Sequence, residues 1–228
     1  MPRGVGTRIR GLFVTGTDTG VGKTVVSAAL LARYCPTVAL RYWKPIQTGI
    51  EQDDDTEEIR RLTAPSLAEI LDDGIRLPNP VSPHLAAMMA QKTIDVAALT
   101  ATVGHYPAQD RWVVEGAGGV LVPLNTSAMM IDLIEALGLA VLVVSRSTLG
   151  TINHTLLTLK CLRARALSVA GVVLVGEANP DNRAAIEHYG QVAVLGEMPR
   201  FESISEAELT AWATSNLDPN GVLWEWLK

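Results

Sequence analysis

The run Gly16-Thr17-Asp18-Thr19-Gly20-Val21-Gly22-Lys23-Thr24 lies between a short apolar segment, Leu12–Thr15, and a stretch with apolar residues at helical spacing, Lys23–Arg33. Strand, glycine-rich loop, helix is the context in which such a loop cradles phosphate. The glycines let the backbone curl so that its N–H groups converge, and the helix N-terminus adds its positive end. Lys23 brings a charge to terminal phosphates, and the Thr24 hydroxyl suits Mg²⁺. The strict pattern G-x-x-x-x-G-K-[ST] is not met, because Thr17 stands where its first Gly belongs and the loop counted from Gly16 is one residue longer. The sequence therefore predicts a variant phosphate loop.

Around this loop, short β-branched runs alternate with helical patterns. Strands are expected at Leu12–Thr15, Thr37–Tyr42, Trp112–Glu115, Ala140–Ser145, Val169–Val175 and Val192–Leu195. Helices are expected at Lys23–Arg33, Asp55–Leu62, Pro83–Ala90, Val96–Val103, Met130–Leu137, Leu149–Arg165 and Asn182–His188, with helical turns in Glu206–Lys228. Continuous apolar strands such as Val141-Leu142-Val143-Val144 imply burial on both faces, as in a parallel sheet covered by helices. The expected fold is a doubly wound α/β domain, mainly parallel, with helices on both faces. A length of 228 residues and the lack of a Gly/Ser linker predict one domain over 1–228.

Apolar residues make up 48% and charged residues 19%, which excludes a mainly disordered chain. A net charge of −5 argues against nucleic acid as a partner. Cys35 and Cys161 have neither disulfide-framework nor zinc spacing and suit a reducing compartment. Arg3, Arg8 and Arg10 precede too short an apolar stretch for a signal peptide, and the longest apolar run, Ala136–Val144, is far short of the roughly 20 residues that span a bilayer. A cytoplasmic protein without a membrane segment is expected.

A phosphate loop indicates a nucleotide, not a reaction. Glu115 ends the apolar strand Trp112-Val113-Val114 and precedes Gly116-Ala117-Gly118-Gly119, which puts a carboxylate at the ligand-binding edge of a parallel sheet. Asp53-Asp54-Asp55 precede a helix, where capping explains them as well as ligation does. Lys44, followed by Pro45-Ile46-Gln47-Thr48-Gly49, can face the same edge or be a surface lysine. His84 and His154 read first as helix-start residues.

Taken in order, Gly16–Thr24, Trp43-Lys44-Pro45-Ile46-Gln47-Thr48-Gly49, Ser82-Pro83-His84, Val114-Glu115-Gly116-Ala117-Gly118-Gly119, Leu149-Gly150-Thr151-Ile152-Asn153-His154-Thr155 and Leu195-Gly196-Glu197-Met198-Pro199 resemble the dethiobiotin synthetases over most of the chain. The resemblance implies a P-loop NTPase-type domain that uses ATP and Mg²⁺ to close 7,8-diaminononanoate and CO₂ (or bicarbonate) into a cyclic urea through a carbamate and its phosphoric anhydride. It implies Lys44 and Lys23 as catalytic residues and Thr24, Asp55 and Glu115 as Mg²⁺ ligands. Gly20, Val21, Gly22, Lys23, Thr24, Val25, Asp55, Glu115, Gly116, Ala117 and Gly118 would bind ATP, with Gly176, Glu177, Pro199, Arg200 and Phe201 around its base. Thr19, Thr48, Leu149, Gly150, Thr151, Asn153 and Tyr189 would bind the substrate, the segment Leu149–Asn153 coming from the partner in a homodimer.

One departure is implied as well. Gly176-Glu177 stand where some family members place an adenine-reading Asn, so weak selectivity for ATP, or recognition by backbone around Pro199–Phe201, is expected. A switch ATPase of the partitioning or cell-division type is the main alternative, but it carries an additional Lys early in the loop where this chain has Asp18. Corrin-type amidating ligases would bring a further domain with a catalytic Cys, and a non-catalytic nucleotide-binding module has no use for Lys44 or Glu115 at a sheet edge.

Overall fold

The computed structural model describes residues 9–64, 68–201 and 203–228, so Arg3 and Arg8 lie outside the described residues. Its centre is β1 (Arg10–Gly16), which leads through the glycine-rich loop into α1 (Lys23–Tyr34). Then come β2 (Leu40–Trp43), β3 (Ile46–Thr48), α2 (Asp55–Leu62), β4 (Ala68–Leu71), β5 (Ile75–Leu77), α3 (Pro83–Met89) and α4 (Val96–Thr102). The rest of the chain forms β6 (Arg111–Gly119), α5 (Met130–Leu137), β7 (Ala140–Arg146), α6 (Thr151–Ala164), β8 (Val169–Val175), α7 (Pro180–Gly190), β9 (Val194–Met198), α8 (Glu206–Asn216) and α9 (Trp224–Leu227).

Among the described residues, seven strands make one parallel sheet in the order β4-β2-β6-β1-β7-β8-β9. The chain winds to one side of β1 and then to the other, which opens a crevice at the strands' carboxyl ends where the loop after β1 sits. Leu12 and Val14 point to one face, against Val26 and Leu30 of α1, Ile59 of α2 and Leu209 of α8. Phe13 points to the other face, against Leu133 and Ile134 of α5, with Leu159 of α6 and Ile186 of α7 in the same core layer. Val141, Leu142, Val143 and Val144 are all fully buried. Helices on both faces leave no solvated side for polar alternation, and each such side chain stabilises the fold by about 1.5–3 kcal/mol.

The differences from the sequence-based expectation are local. β2 starts at Leu40, not Thr37, because the N–H groups of Thr37 and Val38 both bond the Tyr34 carbonyl and finish α1. β9 runs on to Met198, past Leu195. β3 and β5 form a separate two-stranded parallel sheet that short, proline-flanked segments did not announce. α8 is a full helix, begun by a capping box in which Ser205 and Glu208 satisfy each other's backbone N–H.

Candidate active site

The loop after β1 is shaped by glycines where other residues would not fit. Gly22 caps α1 at φ 97°, in the left-handed region, with Val175 side-chain atoms 3.2 Å from where a Cβ would stand. A Cβ on Gly16 would lie 2.6 Å from the Asp18 carbonyl. The crest is fixed from outside by Arg146 at the end of β7, whose guanidinium donates to Asp18 Oδ2 at 3.1 Å and to the Thr19 carbonyl at 3.0 Å. From within, Lys23 Nζ donates to the Asp18 carbonyl at 3.1 Å, folding the loop over its own lysine.

Five functional groups converge beside the loop. The parallel register pairs Glu115 of β6 with Val14 of β1, and Lys44 leaves β2 directly after Trp43, which pairs with Val114. Lys44 Nζ lies 2.5 Å from Asp55 Oδ2 and 2.7 Å from Glu115 Oε1, and donates to the Gly116 carbonyl at 3.3 Å. The Thr24 hydroxyl meets Asp55 Oδ1 at 2.6 Å and Glu115 Oε1 at 3.0 Å. Tyr42 donates to Glu115 Oε2 at 3.0 Å from a fully buried position.

Charge follows from burial and these contacts. Burial favours a neutral Lys44, but the carboxylates of Glu115 and Asp55 outweigh it and hold its pKa above the usual lysine value. Burial likewise pushes Asp55 up, and Lys44 more than cancels that, leaving its pKa below the usual value. Lys23 goes the other way: burial first, then repulsion by Lys44, bring it down to about 8. Burial and the Glu115 charge push Tyr42 well above its usual value, so its phenol stays a donor.

A cleft of about 760 Å³ opens over this cluster. Thr19, Gly20, Gly22, Lys23, Thr24 and Val25 line it from the loop side, and Lys44, Thr48, Asp55, Glu115, Ala117 and Gly118 from the sheet edge. A second cavity, about 140 Å³, shares Gly20, Gly22 and Val25 with the first and is closed by Val21, Val175, Met198, Pro199, Arg200, Phe201 and Ile204. A small hollow at the start of α6 is lined by Leu149 and Thr151, together with Thr17, Asp18, Arg146 and His154.

Of the other residues singled out in the sequence, Asp53 also lines the cleft and His84 is exposed in the first turn of α3, and the following stand apart from these spaces. Gly116 lies behind the cleft against Phe13 and reaches it through its carbonyl. Gly176 packs on Ser147 and Glu177 is exposed, and neither lines the second cavity, which their neighbour Val175 does. Gly150 caps α6 at φ 94°, Asn153 is exposed one turn on, and Tyr189 is 70% exposed at the end of α7. The sequence reading missed Tyr42, Arg146 and Val175. Tyr42 was findable, since strand alternation sets it two residues before Lys44 on the same side.

The donors also suit a hard cation. Two carboxylates and a hydroxyl converge from three elements, and among the described residues no group of three His, Cys, Asp or Glu forms a site of its own. A few protein oxygens with room for phosphate and water is the pattern Mg²⁺ prefers.

Residues 10–208 match the family described as AAA domain. The chain is 49% identical over 201 residues to the ATP-dependent dethiobiotin synthetase BioD of Paramagnetospirillum magneticum, covering 88% of this chain and 93% of that protein. It is 43% identical over 199 residues to the protein of the same name from Brucella ovis, covering 87% and 90%. Among solved structures, the septum site-determining protein MinD of Pyrococcus horikoshii, complexed with Mg-ADP, superposes with a TM-score of 0.57 at 16% identity, covering 90% of this chain and 86% of that one. That likeness is one of fold. Identity of 43–49% along nearly the whole of both chains is more than a shared fold, and the chain belongs to the dethiobiotin synthetase family of ATP-dependent ligases.

Proposed function

We propose that the protein closes 7,8-diaminononanoate and CO₂ into dethiobiotin at the expense of ATP, as a single catalytic domain. The observation that carries this reading is Lys44, held between Asp55 and Glu115 beside the Thr24 hydroxyl, on the floor of a cleft that begins on a phosphate loop.

One amine of the diamine adds to CO₂, losing a proton, and gives a carbamate. A carbamate oxygen attacks the γ-phosphorus of ATP and ADP leaves. The second amine then attacks the carbamoyl carbon, phosphate departs, and a cyclic urea remains. Anionic groups meet at the attack, and fixed positive charge aimed there is the largest contribution a protein can make. Lys23 and Lys44 supply that charge, Lys23 from the loop side and Lys44 from the sheet edge. Thr24, Asp55 and Glu115 would hold Mg²⁺, which when bound neutralises phosphate oxygens. Thr48 and Thr19, which both line the cleft, offer hydroxyls to the diamine. The cavity bounded by Val21, Val25, Val175, Pro199, Arg200 and Phe201 suits the base.

A homodimer completes this reading, with the Leu149–Asn153 helix start of a second copy binding the substrate's carboxylate through its backbone N–H groups. Full exposure of Leu149, with Leu157 and Tyr189 also exposed on α6 and α7, supports a contact there. Two free cysteines suit the cytoplasm, and no helix among the described residues is long and apolar enough to cross a membrane.

Tracing oxygen tests the route. With freshly supplied ¹⁸O-labelled CO₂, one labelled oxygen should appear in the released phosphate and one in the urea carbonyl of the product. Phosphate that carries oxygen from water instead would mean simple ATP hydrolysis and reject the route.

A further inference from the structure

Asp55 reaches the cleft because the start of α2 is held from behind. In the small sheet of β3 and β5, Gln47 pairs directly with Arg76, and both side chains end on Asp54. Gln47 Nε2 donates to Asp54 Oδ1 at 3.0 Å, and Arg76 forms an ion pair with Oδ2. The same Oδ1 caps α2, accepting from Thr56 N at 3.1 Å and Glu57 N at 3.3 Å. Thr56 Oγ1 closes the circuit on Gln47 Oε1 at 3.2 Å. Gln47 and Thr56 are each 2% exposed, so the bond between them forms away from water, where it is strong, while the Arg76 end of the clamp stays partly exposed.

Capping alone needs none of this, since an Asp with two backbone donors is enough. Asp95, which caps α4, is such a case: it accepts from Ala97 N at 2.8 Å and Ala98 N at 3.4 Å and, among the described residues, from no side chain. Asp54 differs by its clamp. Its neighbour Asp55, the first residue of α2, turns the opposite way to Thr24 and Lys44.

We propose that Asp54, clamped by Gln47 and Arg76, is a positioning residue that fixes the Asp55 carboxylate at the cleft and ties it to β3, the strand that carries Thr48. The proposal rests on the reading of Asp55 as a ligand of the nucleotide-bound cation.

The test is Mn²⁺ binding followed by electron paramagnetic resonance, with ATP present and no diamine, on the whole chain and five variants. Asp54→Asn and Arg76→Gln keep the cap but break the ion pair, Asp95→Ala removes a remote cap, and Asp55→Asn checks the underlying reading. Both clamp variants should weaken Mn²⁺ binding about 10-fold to 100-fold, as loss of groups that orient metal ligands does. Arg76→Lys should recover part of the loss, and Asp95→Ala should lower the thermal midpoint without changing Mn²⁺ binding. Unchanged binding in both clamp variants, with Asp55→Asn weakened, would overturn the positioning role while leaving the reading of Asp55 intact. Unchanged binding in Asp55→Asn would overturn both.

Discussion

Lys44 and Glu115 form an ion pair at 2.7 Å with 3% and 0% of their side chains exposed, just past the end of β2, where its parallel pairing with β6 stops while β6 itself runs on to Gly119. A pair so buried costs more in lost hydration than it returns unless its remaining lone pairs and protons are satisfied. Here they are: Tyr42 and Thr24 bond Glu115, and Asp55 and the Gly116 carbonyl take the other protons of Lys44. The arrangement keeps a full positive charge in a dry place, which is what attack on a phosphoryl group requires.

Replacing Lys44 by Ala should therefore lower kcat by about 10²-fold to 10³-fold, the usual cost of removing one charge-stabilising group. MgATP binding, measured by calorimetry, should change only a few-fold, because the proposal gives the nucleotide to the loop backbone and Lys23. Loss of nucleotide binding in step with turnover would contradict the role given to Lys44.

Lys23 titrates near pH 8 in the free protein, pulled down by burial and by Lys44. In the proposed role its protonated form binds phosphate, so ATP affinity should fall as pH rises above 8, and ATP binding near that pH should take up a proton. Calorimetry at pH 8.5 in two buffers of different ionisation enthalpy measures the uptake directly. Proton release on binding, or an affinity flat to pH 9.5, would show that Lys23 is not the group that responds.

The cavity assigned to the base is walled by Val21, Val25, Val175, Met198 and Phe201, and its polar side chains, Arg146 and Arg200, only donate. Among the described residues, nothing in that wall is a side-chain amide able both to donate to and to accept from adenine. Apolar pockets discriminate by about 10-fold to 200-fold, far less than hydrogen-bonded ones. The ratio of kcat/KM for ATP over GTP or CTP should lie in that range, and a strict preference for ATP would contradict it.

Asp218 is fully buried and accepts from the Tyr34 hydroxyl and, at 2.8 Å each, from the N–H groups of Val222 and Leu223, which anchors the chain leading to α9. Tyr34→Phe removes one donor from a buried carboxylate and should destabilise the protein by about 1–3 kcal/mol, seen as a lower urea midpoint with kcat unchanged. An unaltered midpoint would mean that the anchor contributes nothing.

What was legible in the sequence follows from how local each signal is. The order of β1, loop and α1 is written in adjacent residues, and unbroken apolar runs such as Val141–Val144 announce a sheet covered on both faces. The meeting of Lys44 with Glu115 depends on which strands are neighbours. No spacing along the chain states that, and only the family resemblance brought the two together. The clamp on Asp54 was hidden for a similar reason: β3 and β5 are three residues each, too short to show a period, and Gln47 meets Arg76 only through their pairing. Val175 was passed over because a valine at the end of a buried strand looks like core.

The most direct measurement incubates the purified protein with MgATP, bicarbonate and 7,8-diaminononanoate, and follows phosphate release beside product mass. Phosphate released only when the diamine is present, in equal amount to a cyclic urea, is the predicted result. Phosphate released at the same rate without the diamine would contradict the ligase reading and point to a switch ATPase of the partitioning type.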